Sequence, residues 1–462
     1  MSDNRTNAAR EKRYRLMLEE PVFKVVPIIA LPMVISMLID SFYNLADTYF
    51  VSTLGTYATA AVGVNNSLMF MLRAVGMGFG IGASSYMSRL FGAKNYDKAS
   101  RTAATAFYSS MIFVSVVAVI MFIFRRDFVR MLGATENSAQ YSIDYATFIL
   151  ASAPFTIGNT VLSQTLRSEG STTYSMIGLV SGCVVNLVLD PIFIFLFHWG
   201  VAGAAAATGI SKVVSFIVLL YPYMKGNSLI SIAPKHFEPS REIYSEIARM
   251  GIPSFLRTTL MSFTSVLTNQ YAGSYGDSVL AAVSVSNRCM MFLGSMVMGF
   301  GQGFQPIAGY CWGAGKYKRV RHAFWATTAY GALISLIMGS LLFIAAPAVV
   351  GLFTTSDQMI IDTGSYMVRL QCVVLFAHCW VMIINGLYQA IGRPVGATIL
   401  GLSRQCIFLI PLMIILNRTM GVEGLKIAQA SADVCSLVLA VPMLIIIMRE
   451  INQRAKLQEA DS

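Results

Sequence analysis

The chain has 462 residues, of which 55% are hydrophobic and only 12% are charged, whereas soluble domains carry roughly 25% charged residues. This composition indicates a membrane protein with several spans, in which a net charge of +11 marks the side that each loop faces and does not indicate a nucleic-acid partner. The seven Cys form no C-x-x-C pair and lie in or beside apolar stretches, which excludes a disulfide scaffold.

Apolar runs of about 20 residues or more predict twelve transmembrane helices. In chain order they lie near 24–50, 58–88, 100–124, 138–164, 173–197, 200–223, 243–273, 279–310, 322–347, 358–388, 395–416 and 422–448. The charged first 20 residues are expected to form a cytoplasmic tail, and the polar stretch from Lys225 to about Arg241 is expected to be a linker. The predicted fold class is an all-α integral membrane protein.

Lys and Arg are distributed unevenly between the predicted connections. The two tails and the loops that join even to odd helices hold most of them, whereas the opposite loops hold only Arg125, Arg126, Arg130 and Arg418. By the positive-inside rule, both termini are expected in the cytoplasm, as an even number of helices requires. We therefore expect a multi-pass protein of the cell inner (plasma) membrane.

The sequence matches itself at an offset of 221 residues. The tetrapeptide Met-Gly-Phe-Gly, for example, occurs at 77–80 and again at 298–301. We interpret its glycines as small residues for close helix packing, because the segment follows no strand as a phosphate-binding loop would. The chain is predicted to consist of two six-helix lobes, 1–230 and 231–462. Such parallel repeats build transporters whose substrate site lies between the halves.

Ionisable residues within the predicted spans are functional candidates, because burying a charge in lipid is costly. On the first helix, Asp40, Asn44 and Asp47 occupy one stripe. On the fifth, Asn186 and Asp190 are four residues apart, directly before a proline that frees a backbone carbonyl, so this patch could coordinate a cation. The depth of Asp40 and Asp190 favours a functional role, whereas the position of Asp47 near a helix end favours a structural one.

Basic residues also occur within the predicted spans, at Arg73, Lys212, Arg257, Arg288, Arg369 and Arg404. Structural neutralisation is the default interpretation, and a basic cavity in the second half that accepts anionic groups is the alternative. Lys212 and Asp433 occupy equivalent repeat positions, which raises the hypothesis that they pair across the lobes. A substrate cavity is predicted at Tyr43, Asn44, Arg257 and Arg288.

Motifs for other chemistry are absent from the sequence. The four His, at positions 198, 236, 322 and 378, do not have metal-ligand spacing, and no Walker sequence is present to use ATP. Neither an enzyme nor a resident cofactor is expected. The energy for transport is then expected to come from an ion gradient.

Several segments together resemble the multidrug and toxic compound extrusion (MATE) family over nearly the whole chain. They are Pro32-Met33 before 47–51, Leu166-Arg167-Ser168-Glu169-Gly170, Asn186 with Asp190-Pro191, the glycine- and alanine-rich 200–205, and Gly392-Arg393-Pro394. The resemblance implies two six-helix lobes that form a V-shaped cleft, and export of amphipathic, usually cationic compounds in exchange for H⁺ or Na⁺. The expected partners are small-molecule substrates and the lipid bilayer, with no nucleic acid, and a monomer is expected because the two repeats already form the cleft.

The resemblance also implies a cation-coupling site in the first lobe. Asp40, Asn186, Asp190 and Thr208 match the family's positions and are the candidate Na⁺ ligands, and Tyr145 on the fourth helix is a further match. The second lobe departs from the pattern, because its seventh helix lacks the Glu and its tenth lacks the mid-helix Asp of the branch with a second-lobe Na⁺ site. Coupling is therefore expected in the first lobe.

Two alternatives stay open at this point. An exporter of anionic metabolites, or a lipid-linked oligosaccharide flippase related to the family, would also have two lobes and would suit the basic residues of the second half. A membrane receptor or channel that does not transport is the other class. The internal repeat and the intramembrane carboxylates count against that class.

Overall fold

The computed structural model describes residues 2–132, 136–351 and 358–460. Within these ranges the chain is helical apart from short turns and the longer stretch 225–240, which holds only the 3₁₀ turn Pro234–His236. The α-helices of the described part are α1 (Ser2–Leu18), α2 (Val22–Ser52), α3 (Thr56–Gly92), α4 (Tyr96–Ile123), α5 (Arg125–Met131), α6 (Glu136–Ser168), α7 (Thr172–Pro191), α8 (Gly200–Met224), α9 (Arg241–Gly273), α10 (Asp277–Gly313), α11 (Tyr317–Gly351), α12 (Gln358–Ile391), α13 (Pro394–Leu402), α14 (Ile410–Met420) and α15 (Val422–Ala460). The prediction of an all-α membrane fold is confirmed.

Eleven helical segments of the described residues are long and apolar enough to cross a bilayer. They are α2, α3, α4, α6, α7 with its extension to Leu196, α8, α10, α11, α12, the continuous α13–α14 segment and α15. All eleven coincide with predicted spans. The remaining predicted span, 243–273, also forms a helix, α9, but residues such as Thr258, Thr259 and Ser262 make it more polar than the others.

Besides the 3₁₀ turn Pro234–His236 in the predicted linker, three helical features were not predicted from the sequence. The N-terminal tail forms α1, and the loop after α4 forms the short α5. The third feature is a pair of π-helical segments, Ile192–Leu196 after α7 and Ser403–Leu409 between α13 and α14. Each π-helical turn holds more residues than an α-helical turn, so it changes the direction of the side chains that follow, and such segments are frequent at functional sites.

The helices pack into two compact units. Unit 1 comprises Met1–Met17 with Ile35–Thr258, and unit 2 comprises Leu18–Val34 with Thr259–Ser462. The first part of α2 therefore packs with unit 2, and the first part of α9 packs with unit 1. The lobes 1–230 and 231–462 divide the chain by repeat, whereas the units divide it by packing, so the lobe limits stay a prediction.

Glycines of the repeated motif hold these helix segments in place. In unit 2, a Cβ atom on Gly303 of α10 would lie 2.6 Å from the Cα atom of Ala30 on α2. In unit 1, a Cβ on Gly82 of α3 would collide with the backbone carbonyl of Ile247 on α9. Gly82 and Gly303 are equivalent in the repeat, so the same glycine permits the same close approach in both units.

Candidate functional site

The core of the candidate site lies between α7 and α8 in unit 1. The side-chain Nδ2 of Asn186 donates hydrogen bonds to Asp190 Oδ1 and to Thr208 Oγ1, both at 3.3 Å. None of the three residues is more than 1% exposed. The spacing of four residues places Asn186 and Asp190 on one face of α7. The structure thus brings together three of the predicted ligands.

Close packing of α7 on α8 sets the position of these side chains. A Cβ atom on Gly182 would lie 2.9 Å from the Cβ of Ser215, and the Ser215 hydroxyl donates to the carbonyl oxygen of Gly178 at 2.7 Å. Because two glycines on α7 face α8, the helix backbones approach closely enough for the short side chain of Thr208 to reach Asn186.

Two more residues complete the cluster, one expected and one not. Tyr145 of α6 is 3% exposed and lies near Thr208 and Asp190. The carboxyl group of Asp47 on α2 lies beside that of Asp190. From the sequence, Asp47 was expected to have a structural role. We name Asp47, Tyr145, Asn186, Asp190 and Thr208 the carboxylate cluster.

Several oxygen atoms of the carboxylate cluster lack a hydrogen-bond donor. Asp47 Oδ1, Asn186 Oδ1 and Asp190 Oδ2 are buried, and the described residues supply no hydrogen bond to any of them. Buried oxygens without a donor are costly unless something else binds them. A proton or a cation bound between these oxygens would satisfy them, so the residues present fit a monovalent cation.

Asp40 lies apart from the carboxylate cluster. Its carboxylate faces Arg73 at 3.9 Å, and the Asp40 side chain is 34% exposed. It lies two helical turns from Asp47, about 10 Å along α2 at 1.5 Å rise per residue. The structure therefore places Asp47, and not Asp40, beside Asp190.

The residues predicted to line a substrate cavity have separate environments. Tyr43 lies near Asp47 and Asp190, and its ring centroid is 5.7 Å from the Nζ of Lys212. The side chain of Asn44 donates to the backbone carbonyl of Asp40 at 2.6 Å. Arg257 on α9 is half-buried in unit 1, and Arg288 on α10 is exposed in unit 2. The substrate cavity stays a prediction.

The hypothesis that Lys212 pairs with Asp433 across the lobes stays a prediction. Asp433 Oδ1 accepts a hydrogen bond from Arg404 Nε at 2.6 Å within unit 2, whereas the charge of Lys212 acts on Asp47 in unit 1. Each of the two residues thus has an oppositely charged neighbour within its own unit.

Comparison with known proteins identifies the family. The family model MatE matches the chain twice, over residues 32–192 and 253–415. These two matches begin 221 residues apart, which is the offset of the internal repeat. The chain is 30% identical over 434 residues to the multidrug export protein MepA of Staphylococcus aureus (strain NCTC 8325 / PS 47), and the alignment covers 94% of this chain and 95% of MepA.

Solved structures agree with this result. A crystal structure of MATE in complex with MaL6 superposes with a TM-score of 0.91 at 27% identity, covering 96% of this chain and 99% of that one. An outward-facing multidrug resistance MATE family transporter of the MOP superfamily superposes with a TM-score of 0.89 at 27% identity, covering 95% and 98%. The chain belongs to the MATE family of multidrug efflux transporters.

Proposed function

We propose that this transporter exports amphipathic, cationic compounds in exchange for H⁺ or Na⁺, and that the coupling ion binds at the carboxylate cluster. The observation that carries the proposal is the group of buried oxygens of Asp47, Asn186 and Asp190, which have no donor among the described residues. Burial of two adjacent carboxyl groups within a membrane protein is costly. A bound ion that moves along its gradient can offset that cost and be released again.

The proposed ligands differ from the sequence prediction in one residue. Asp47 takes the role predicted for Asp40, and Asn186, Asp190 and Thr208 keep theirs, with Tyr145 beside them. Pro191 directly follows Asp190 and has no backbone N–H, so it leaves a carbonyl one turn earlier without its helical donor, and the π-helical segment Ile192–Leu196 comes next. Broken helices commonly provide such carbonyls at ion sites of transporters.

A proton and Na⁺ would act on the cluster through the same electrostatics. Two neighbouring carboxylates repel each other when both are charged, and either ion removes one unit of negative charge between them. α2 contains Pro27 and Pro32, which are weak points of its hydrogen-bond ladder. We propose that ion binding to Asp47 and Asp190 changes how α2 packs on α7 and α8, and that this change displaces the bound substrate.

The wider architecture is part of the proposal. Twelve spans would form two six-helix lobes, 1–230 and 231–462, around a V-shaped cleft, with α9 as the seventh span. Both termini would face the cytoplasm of a plasma membrane, as the distribution of Lys and Arg indicates. The protein would act as a monomer, with small molecules and the bilayer as its partners and no cofactor besides the coupling ion.

Transport in liposomes tests the proposal. Purified protein would be reconstituted, and movement of a fluorescent organic cation would be recorded under an imposed pH gradient or an imposed Na⁺ gradient. We expect one gradient to drive wild type and neither to drive Asp47→Asn or Asp190→Asn. Asp362→Asn, which changes an exposed carboxylate on α12, is the matched control and should keep wild-type rates.

Two results would contradict the proposal in different ways. Undiminished transport by Asp47→Asn would show that the carboxylate cluster does not take part in ion coupling. Loss of transport in Asp40→Asn alone would show that Asp40, the residue predicted from the sequence, is the coupling residue. If neither gradient moves the dye through wild type, the cationic substrate class is wrong. Anionic metabolites and lipid-linked sugars would then be assayed in the same vesicles.

A further inference from the structure

A second buried group of ionisable residues lies in unit 2, outside the carboxylate cluster. It consists of His378 on α12, Arg404 on the π-helical segment Ser403–Leu409 and Asp433 on α15, and we name it the Asp433 cluster. The Asp433 and His378 side chains are only 2% and 11% exposed. The resemblance to the MATE family assigned no role to these three residues.

Arg404 and Asp433 form a charge-assisted pair. Arg404 Nε donates to Asp433 Oδ1 at 2.6 Å, and Arg404 Nη2 donates to Oδ2 at 3.5 Å. The side-chain amide of Gln429, oriented to accept, takes hydrogen bonds from Arg404 Nη2 at 3.1 Å and Nε at 3.3 Å. The guanidinium is therefore held in one orientation, and the π-helical segment is what turns it toward α15.

His378 lies beside both members of this pair. Its Nδ1 is 3.7 Å from Asp433 Oδ1, and its Nε2 is 3.5 Å from Arg404 Nη1. These distances fit a neutral ring with its proton on Nδ1, so that Nδ1–H points to the carboxylate and Nε2 accepts from the guanidinium. Protonation would place an Nε2–H against Arg404, which is a repulsive contact, and would strengthen the attraction to Asp433.

The charges that face Asp433 belong to the cluster itself. The charged or titratable groups that face Asp433 from the packed elements of the described chain are His378 of α12 and Arg404 of the π-helical segment, while α15 itself adds the neutral Gln429. The charge of Asp433 is thus balanced by a group of the cluster, Arg404. Imidazole is the side chain whose ordinary titration falls at physiological pH.

The residues of the Asp433 cluster also have equivalent positions in unit 1, which the internal repeat identifies. Subtracting the repeat offset of 221 places Arg404 at Cys183, Gln429 at Thr208 and Asp433 at Lys212. Thr208 is a member of the carboxylate cluster, and Lys212 acts on Asp47 in that cluster. Each unit therefore has a polar group on equivalent helices, but in unit 2 the acid and the base have exchanged helices.

We propose that His378, Arg404 and Asp433 form a second proton-binding site, in which His378 takes up the proton and its contact with Arg404 breaks. The ligand is H⁺ itself. The site goes beyond the proposed coupling at the carboxylate cluster and does not depend on it. Its consequence is that unit 2 changes the packing of α12 against the π-helical segment as pH changes.

Nuclear magnetic resonance of purified protein in nanodiscs tests this inference. Histidine labelled with ¹³C at Cε1 gives one signal for each of the four His, and His378→Gln identifies the signal of interest. We expect the His378 signal to titrate between about pH 5.5 and 8. Its midpoint should fall by more than about half a pH unit in Asp433→Asn, because the carboxylate that attracts the protonated ring is lost.

A second variant keeps the test decisive if Asp433→Asn fails to fold. Asp433→Glu retains the charge and moves the carboxylate along its side chain, so it should also shift the His378 midpoint while the other three His signals stay fixed. A His378 signal that does not change over this pH range would overturn the proposal. A midpoint that is the same in wild type and in the folded variants would overturn it as well. Neither outcome depends on transport.

Discussion

Glu169 accepts hydrogen bonds from the hydroxyl of Ser228 and from the backbone N–H of Leu229, both at 2.8 Å, although its side chain is fully buried. This contact joins the loop after α6 to the stretch after α8. Arg10 of α1 donates to the carbonyl of Leu229 at 3.0 Å, and Arg13 donates to that of Gly170 at 2.9 Å. The N-terminal helix, the loop and the linker therefore form one polar assembly in unit 1.

The contacts of Glu169 in this assembly predict that its contribution to stability depends on pH. Burial raises the pKa of the Glu169 carboxyl group above 4.5, its ordinary value. The folded state then binds more protons than the unfolded state between the two pKa values, so the contribution of Glu169 to stability falls as pH rises through that range. Wild type should therefore exceed Glu169→Gln in melting temperature by more at the acidic end of the interval between the two pKa values than at its alkaline end. A pH-independent difference in detergent-based melting would contradict this prediction.

Contacts between α9 and its neighbours in unit 1 predict a difference between two glutamates. Glu246 accepts from Arg89 at 2.7 Å, and both side chains are about four-fifths buried. Glu242 accepts from Lys98 at 2.6 Å but is exposed. Because solvent screens the exposed pair, Glu246→Gln should lower the melting temperature more than Glu242→Gln does.

The second glutamate has a pH signature of its own. The hydrogen bond from Lys98 lowers the pKa of Glu242 below its ordinary value, so any stabilisation by this pair is present above that ordinary value and is lost as pH falls through the lowered pKa. Salt titration of the melting temperature provides the check. The difference in melting temperature between wild type and Glu242→Gln should disappear at high salt. The difference between wild type and Glu246→Gln should largely persist.

Close helix packing predicts that replacement of one glycine of the repeated motif lowers the stability of the protein. In Gly303→Ala, the new methyl group would meet the backbone of Ala30, so α2 or α10 must shift, at about 1–3 kcal/mol. Gly294 on the same helix has no neighbouring atom within 4 Å of a Cβ. Gly294→Ala should therefore leave stability unchanged or raise it by up to about 1 kcal/mol, because alanine favours helix. Equal melting temperatures for the two variants would show that α2 does not pack on α10 in this way.

The carboxylate cluster predicts a role for one hydroxyl group. Tyr145→Phe removes the hydroxyl near Thr208 and Asp190 and keeps the ring in its buried place. We expect gradient-driven transport to fall about fivefold, as the loss of one hydrogen bond of about 1 kcal/mol implies, and the melting temperature to fall by a few degrees at most. Tyr141→Phe, at an exposed position one turn earlier on α6, serves as the control. Wild-type transport by Tyr145→Phe would leave this tyrosine with a packing role only.

The sequence by itself determined the features that depend on local properties. The length and hydropathy of a segment decide whether it forms a spanning helix, so the twelve predicted segments all lie on observed helices, eleven of them apolar enough to span. Residues four apart on a helix share a face, which placed Asn186 with Asp190. The 221-residue offset and the packing role of the repeated glycines could also be predicted, because small residues and repeats can be identified in the amino-acid sequence itself.

Only the tertiary structure decided which residues of different helices meet. Asp40 and Asp47 lie on one stripe of α2, and depth along that helix favoured Asp40, yet the carboxyl group beside Asp190 belongs to Asp47. The axial offset between α2 and α7 determines this choice, and side-chain packing sets that offset, which periodicity does not contain. The pairing of Arg404 with Asp433 could not be predicted from the sequence for the same reason. A π-helical segment turns the guanidinium to a face on which a regular α-helix would not place it.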